Sequence, residues 1–362
     1  MLLSGCSCVM AIPLSFSSAF FENGTPKNGF VETLTYKVAY VNGDDTNYPY
    51  LKKSDMLNNV ILDVQVDDAS EYKTTLTLLL SNANVPELAD SNLLGENGLT
   101  SSSGYVFHLS TTLNYKAKLI FNGENSHEIE DKIQNDVYFL MKDNSYAPIF
   151  ARSVSKMNLI SVNETGINIG KVEYNYQTLY QMEDYSIWGS ITSFGGSTYS
   201  ISTGEKVDES NQTQTQEIEK QDYEYSIKTI IDNTQLLFAL RNFSTTPSQT
   251  SGLSVVAPAY GEAKTLAIRH DTSMNRALDF TFNGNSAKEN EILPVKKLSY
   301  AINDMDNSGQ TQYLVYQSAK SDKDTVNSRA LLVEYAFPMP VYGSMTCLGG
   351  LKCSLTSVEV NQ

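Results

Sequence analysis

General acid–base chemistry near neutral pH most readily uses histidine, and this chain of 362 residues has three: His108, His127 and His270. His270 stands beside Asp271, a pairing that could orient an imidazole as a base. Adjacent residues on a strand, however, point to opposite faces. Sliding the chain against itself by 161 positions pairs His108 with Arg269 and His127 with Lys288, so neither position keeps a histidine in the matching segment. All three read as solvated or strand-face residues. The chain contains no Gly-x-Ser-x-Gly elbow, His-Glu-x-x-His pair or phosphate-cradling glycine loop. It reads as a protein that is not an enzyme.

Paired carboxylates are the next candidates. Glu128 and Glu130 recur as Glu289 and Glu291 at the same shift, and two carboxyls held roughly 5 to 10 Å apart can hydrolyse a glycosidic bond if one sits in an apolar pocket. Here they follow the Asn122-Gly123 turn in a polar stretch, so an edge-strand face that blocks edge-to-edge pairing is the stronger reading. Asp304, Asp306 and Ser308 followed by Gly309 imitate the first half of a calcium loop. The twelfth position is Val315 where that loop needs a bidentate glutamate, so a hairpin turn is expected and no metal or other cofactor is assigned.

Aromatic residues offer a recognition surface. Tyr174, Tyr176 and Tyr180 lie at even spacing, hence on one face of a strand, near the single Trp188. Such a face could stack on sugar rings or pack on a partner; tyrosines lining a sheet rim are the plainer alternative.

The four cysteines fall at the two ends of the chain. Cys347 and Cys353 enclose Gly349-Gly350 and could close a small disulfide ring in an oxidising compartment. Cys6 and Cys8 lie within 21 residues that carry no charged side chain, which reads as an export signal. Leu3-Ser4-Gly5-Cys6 resembles the lipobox of bacterial lipoproteins. It departs from that pattern in having only five residues before Cys6. The resemblance implies acylation of Cys6 and a membrane anchor without a span, placing the chain on the cell surface or in the periplasm.

The elements that must position these residues are strands. Val31–Val41, 60–66, 74–80, 105–110, 113–121, 137–141 and 149–153 alternate or run rich in aromatic and β-branched residues. Asn-Gly pairs at 28, 42, 97, 122 and 283 suit tight antiparallel hairpins. Short helices are expected at 50–59 and 214–222. The 161-residue shift superposes Phe121-Asn122-Gly123 on Phe282-Asn283-Gly284 and Val172-Glu173-Tyr174 on Val333-Glu334-Tyr335, so two similar antiparallel units, sandwich or curved half-barrel, are expected from a duplication. The division is 1–24 as export signal and tether, 25–180 and 181–342 as the repeats, and 343–362 as a carboxyl-terminal extension.

A formal net charge of −15 disfavours nucleic acid, which demands a basic face. The expectation is therefore an exported, lipid-anchored envelope protein that binds or supports another envelope component or a glycan. A carrier holding a lipid in a curved sheet is the alternative; a glycan hydrolase stands third. A carrier requires an apolar cavity of roughly several hundred Å³.

Overall fold

The computed structural model describes residues 29–43, 48–49, 51–58, 60–79, 105–122, 125–142, 145–163, 166–181, 183–224, 230–241, 250–258, 261–286, 291–302, 313–318, 331–341 and 347–361. The first described elements are β1 (Val31–Val41), the short helix α1 (Asp55–Asn58), β2 (Ile61–Val66) and β3 (Glu71–Leu78). Five long strands follow: β4 (Tyr105–Phe121), β5 (Ser126–Lys142), β6 (Ser145–Asn163), β7 (Gly166–Tyr180) and β8 (Asp184–Tyr199). Then come β9 (Lys206–Glu209), β10 (Thr213–Glu224), β11 (Ile230–Asp232), a 3-10 turn (Asn233–Gln235) and helix α2 (Leu236–Leu240). The remaining strands are β12 (Thr250–Val256), β13 (Lys264–Leu278), β14 (Thr281–Phe282), β15 (Asn285–Ser286), β16 (Glu291–Ile302), β17 (Tyr313–Ser318), β18 (Leu332–Pro340) and β19 (Cys347–Asn361).

These strands form an all-β, largely antiparallel sheet. Its ladder runs from β12 through β13, β16, β17, β18 and β19 to β1, then through β3, β4, β5, β6, β7 and β8 to β10. Period-two patterning dictates which face is buried: β4 turns its odd-numbered residues from Phe107 to Phe121 inward while the even-numbered ones are partly or fully exposed. β1 does the same with Leu34, Tyr36 and Val38.

The sheet is curved around α2. Phe238 of α2 meets Phe139 of β5 at 5.6 Å and Tyr146 of β6 at 5.4 Å between ring centroids. On its other side Arg241, the residue that ends α2, donates to Glu32 of β1 at 2.5 and 3.1 Å. Strands so far apart in the ladder can touch one five-residue helix only if the sheet wraps it. The helix enters through a capping box: the Asp232 carboxylate accepts from the Thr234 amide at 2.8 Å and the Gln235 side chain accepts from the Asp232 amide at 2.9 Å.

Several expectations are corrected. Residues 214–222 form part of β10, because the ladder to β8 outweighs the helix propensity of its Glu, Gln and Lys residues. Within 50–59 only Asp55–Asn58 is helical among the described residues. The segment expected as a carboxyl-terminal extension is β19, hydrogen-bonded to β18 on one side and β1 on the other. Asn283 and Gly284 do form the hairpin expected of them, with φ of 47° and 74° joining β14 to β15. The 161-residue shift lays β4 on the span of β13 and β14, and β7 on that of β18, but it lays β3 on the 3-10 turn and α2.

Candidate functional site

Among the described residues the inward face is closely packed. Tyr36, Tyr72 and Tyr335 pack as a cluster with centroids 5.2 to 6.1 Å apart, and burial pushes all three phenols above their ordinary range. The cavity that remains between this cluster, Leu76, Leu109, Phe238 and the Glu32–Arg241 pair holds about 20 Å³. That is room for about one water molecule.

The three histidines do not converge. His108 lies on β4, its Nε2 2.9 Å from Asp136 and its ring stacked on Tyr138 at 4.5 Å. Burial raises the Asp136 carboxyl, but hydrogen bonds from His108, Ser110 and Gln134 hold it below its ordinary value. His127 bonds through Nδ1 to the Tyr199 hydroxyl at 2.6 Å, and burial, aided by Lys171 and Lys206, lowers its pKa. His270 is buried with Nε2 3.2 Å from Ser273, while the neighbouring Asp271 accepts from Arg269 at 2.6 Å.

The carboxylates Glu128 and Glu130 share one outer face of β5. Glu128 is exposed, and Glu130 pairs with Lys132 at 3.0 Å and Lys116 at 3.5 Å. The Lys132 hydrogen bond lowers the Glu130 pKa, the opposite of what a proton-donating glycosidase carboxyl requires. Glu289 lies outside the described residues, and Glu291 begins β16.

Tyr176 and Tyr180 are buried and Tyr174 packs against the same core, so from Val172 to Tyr180 the even-numbered positions of β7 face inward. The strand pattern points Tyr176 and Tyr180 at the core, whereas Tyr174, half-buried, also borders the groove on the outer face. Trp188 packs partly buried beside Tyr138, Ile149 and Phe150, in a separate cluster.

Cys347 and Cys353 are both free thiols, which corrects the expected ring. Six residues along one strand separate them by roughly 20 Å, far beyond disulfide reach. Cys353 is buried and its thiol is pushed up to about 12; burial also raises Cys347. The lipobox segment with Cys6, and the calcium-like turn at Asp304, Asp306 and Ser308, lie outside the described residues.

An open surface lies on the other face of β4 to β8. A groove of about 500 Å³ is lined by Thr112, Asn114, Lys132, Gln134, Val154, Lys156, Glu173, Asn175, Ser190 and Thr192. The registers align them as two rows across five strands: Thr112, Gln134, Val154, Asn175 and Ser190, then Asn114, Lys132, Lys156, Glu173 and Thr192. A second groove of about 570 Å³ continues the same face, with Lys116, Lys118 and Lys171 set among Glu128, Glu130, Asp67 and Asp68. Lys156 is fixed by an ion pair to Glu173 and sits 5.4 Å from the Phe194 ring centroid.

Taken together, the two grooves carry five ammonium groups, Lys116, Lys118, Lys132, Lys156 and Lys171, and five carboxylates, Glu128, Glu130, Glu173, Asp67 and Asp68. The tract is locally neutral on a chain whose net charge is −15. Amides, hydroxyls and paired charges at such spacing offer both donors and acceptors to a hydrophilic ligand. Sequence reasoning missed these residues because it looked for aromatic stacking. Their signal was the polar phase of each alternating strand.

No family model matches the chain, and no curated protein matches it. Among solved structures it is similar to a β-barrel-like protein of a domain of unknown function, DUF1849, from Brucella abortus, with 8% identity, a TM-score of 0.41, and coverage of 92% of this chain and 98% of that one.

Proposed function

We propose that the protein is an exported, lipid-anchored binding module of the cell envelope that holds a hydrophilic, uncharged component, a glycan by chemistry, against the outer face of β4 to β8. The carrying observation is the contrast in volume: about 500 and 570 Å³ in open polar grooves against about 20 Å³ inside. A lipid needs roughly several hundred Å³ of apolar space, so the interior argues for architecture over carriage. Local charge balance favours a polyol over a polyanion, since Lys116 and Lys132 pair with Glu130 and Lys156 pairs with Glu173. Export and the anchor rest on the uncharged amino terminus and on Leu3-Ser4-Gly5-Cys6.

Titration calorimetry with soluble N-acetylglucosamine oligomers tests the groove. Binding should appear in the unmodified protein and weaken at least tenfold in Gln134→Ala/Asn175→Ala, two residues of the first row that line the groove. Equal affinity in that variant overturns the site. A co-purifying lipid in native mass spectrometry would restore the carrier, and a mature amino terminus without acylated Cys6 removes the anchor.

A further inference from the structure

Among the described residues β10 has one edge without a strand partner, and both its faces are largely exposed. Its only described ladder is to β8, and ten of its twelve residues are exposed, leaving Ile218 and Tyr223 half-buried. Ordering a strand costs roughly 1 to 2 kcal/mol of backbone entropy per residue, normally offset by burial of an apolar face. β10 contributes only Ile218 and Tyr223 to the core.

The edge is also chemically ready. The Gly195 amide donates to the Gln212 carbonyl, and antiparallel alternation then gives the β8-directed bonds to Gln214, Gln216 and Ile218. Thr213, Thr215 and Glu217 accordingly turn their N–H and C=O groups to the open side. Proline, the usual block on such an edge, is absent from 206–224. Carboxylates dominate instead: Glu217, Glu219, Asp222 and Glu224 stand on β10 against Lys220 alone.

We infer that β10 is a docking edge which accepts an extended, basic segment of another protein as an additional antiparallel strand. Main-chain hydrogen bonds to Thr213, Thr215 and Glu217 would supply the pairing, and lysines or arginines beside the four carboxylates would select the partner. A second copy of this chain is disfavoured, because two β10 strands would bring their carboxylates together. The glycan reading requires no β10 residue, although the Thr215 hydroxyl meets that of Thr192 at the groove's margin, 3.0 Å away.

The test uses the full chain and a twelve-residue peptide of alternating threonine and lysine, read by fluorescence anisotropy and amide hydrogen exchange. The peptide should bind and protect the Thr213, Thr215 and Glu217 amides. A glutamate-for-lysine version should bind at least tenfold more weakly. Thr215→Pro removes one edge-directed donor while sparing the ladder to β8, and should weaken binding at least tenfold; Glu217→Lys/Glu219→Lys should do the same if the proline variant proves unstable. Absence of binding, equal binding of both peptides, or binding without amide protection overturns the inference. Concentration-dependent self-association abolished by Thr215→Pro would overturn it in favour of a second copy.

Discussion

Asp232 concentrates several demands on one carboxyl group. It caps the turn into α2, accepts the Tyr180 hydroxyl at 2.6 Å and the Thr234 amide at 2.8 Å, and is buried. Burial raises its pKa despite those two donors. The folded chain therefore keeps this proton at pH values where the unfolded chain has released it, and the contribution to stability falls as pH rises from the ordinary value of 3.8 through the raised one. Asp232→Asn removes that dependence. Urea midpoints measured from acidic to neutral pH should show the variant gaining on the unmodified protein as pH rises; a constant difference would contradict the assignment. The Glu32–Arg241 pair is the other charged feature of the interior, with side chains only 1% and 4% exposed. Breaking one member of such a pair is destabilising, whereas an apolar replacement of both is often tolerated.

At the scale of elements, α2 is what makes the concave face a core. Five residues are too few for a helix to persist on propensity alone, so its packing must hold it. Phe238 is 5% exposed and reaches two strands, and Phe238→Ala should cost about 3 to 5 kcal/mol in denaturant unfolding. A loss under 1 kcal/mol would mean that the sheet holds its curvature without the plug. β8 shows a complementary constraint. A Cβ on Gly189 would lie 2.0 Å from the Asn175 carbonyl oxygen, so glycine there lets β7 and β8 approach where the polar rows cross between them.

For the whole molecule, the ladder crosses both halves of the chain without a gap. β7 turns directly into β8 near residues 181–183, where the junction between repeats was expected, and β19 joins the two halves through β18 and β1. Removing residues 343–362 would leave β1 paired only to β3 and β18 only to β17. The truncated protein should lose its cooperative thermal transition and its compact elution on size exclusion; a folded monomer would show that the halves are independent. We propose the 161-residue shift as the trace of a duplication whose second half has replaced a strand position with the 3-10 turn and α2.

The sequence by itself determined the class of fold and the local turns. Alternation in Val31–Val41 set β1 with its bounds, and Asn283-Gly284 set a hairpin, because period-two burial and positive φ are properties of a few neighbouring residues. It also exposed the weakness of the catalytic candidates. Tertiary structure alone decided what becomes of each polar residue. Glu130 lies in an open ion-pair tract, whereas Asp131 beside it is buried and bonds Asn158. Residues 214–222 became an edge strand and 347–361 an inner one for the same reason: a ladder partner lies far away in the chain, and no local pattern names it. The grooves on β4 to β8 likewise exist only once five distant polar phases are brought into register.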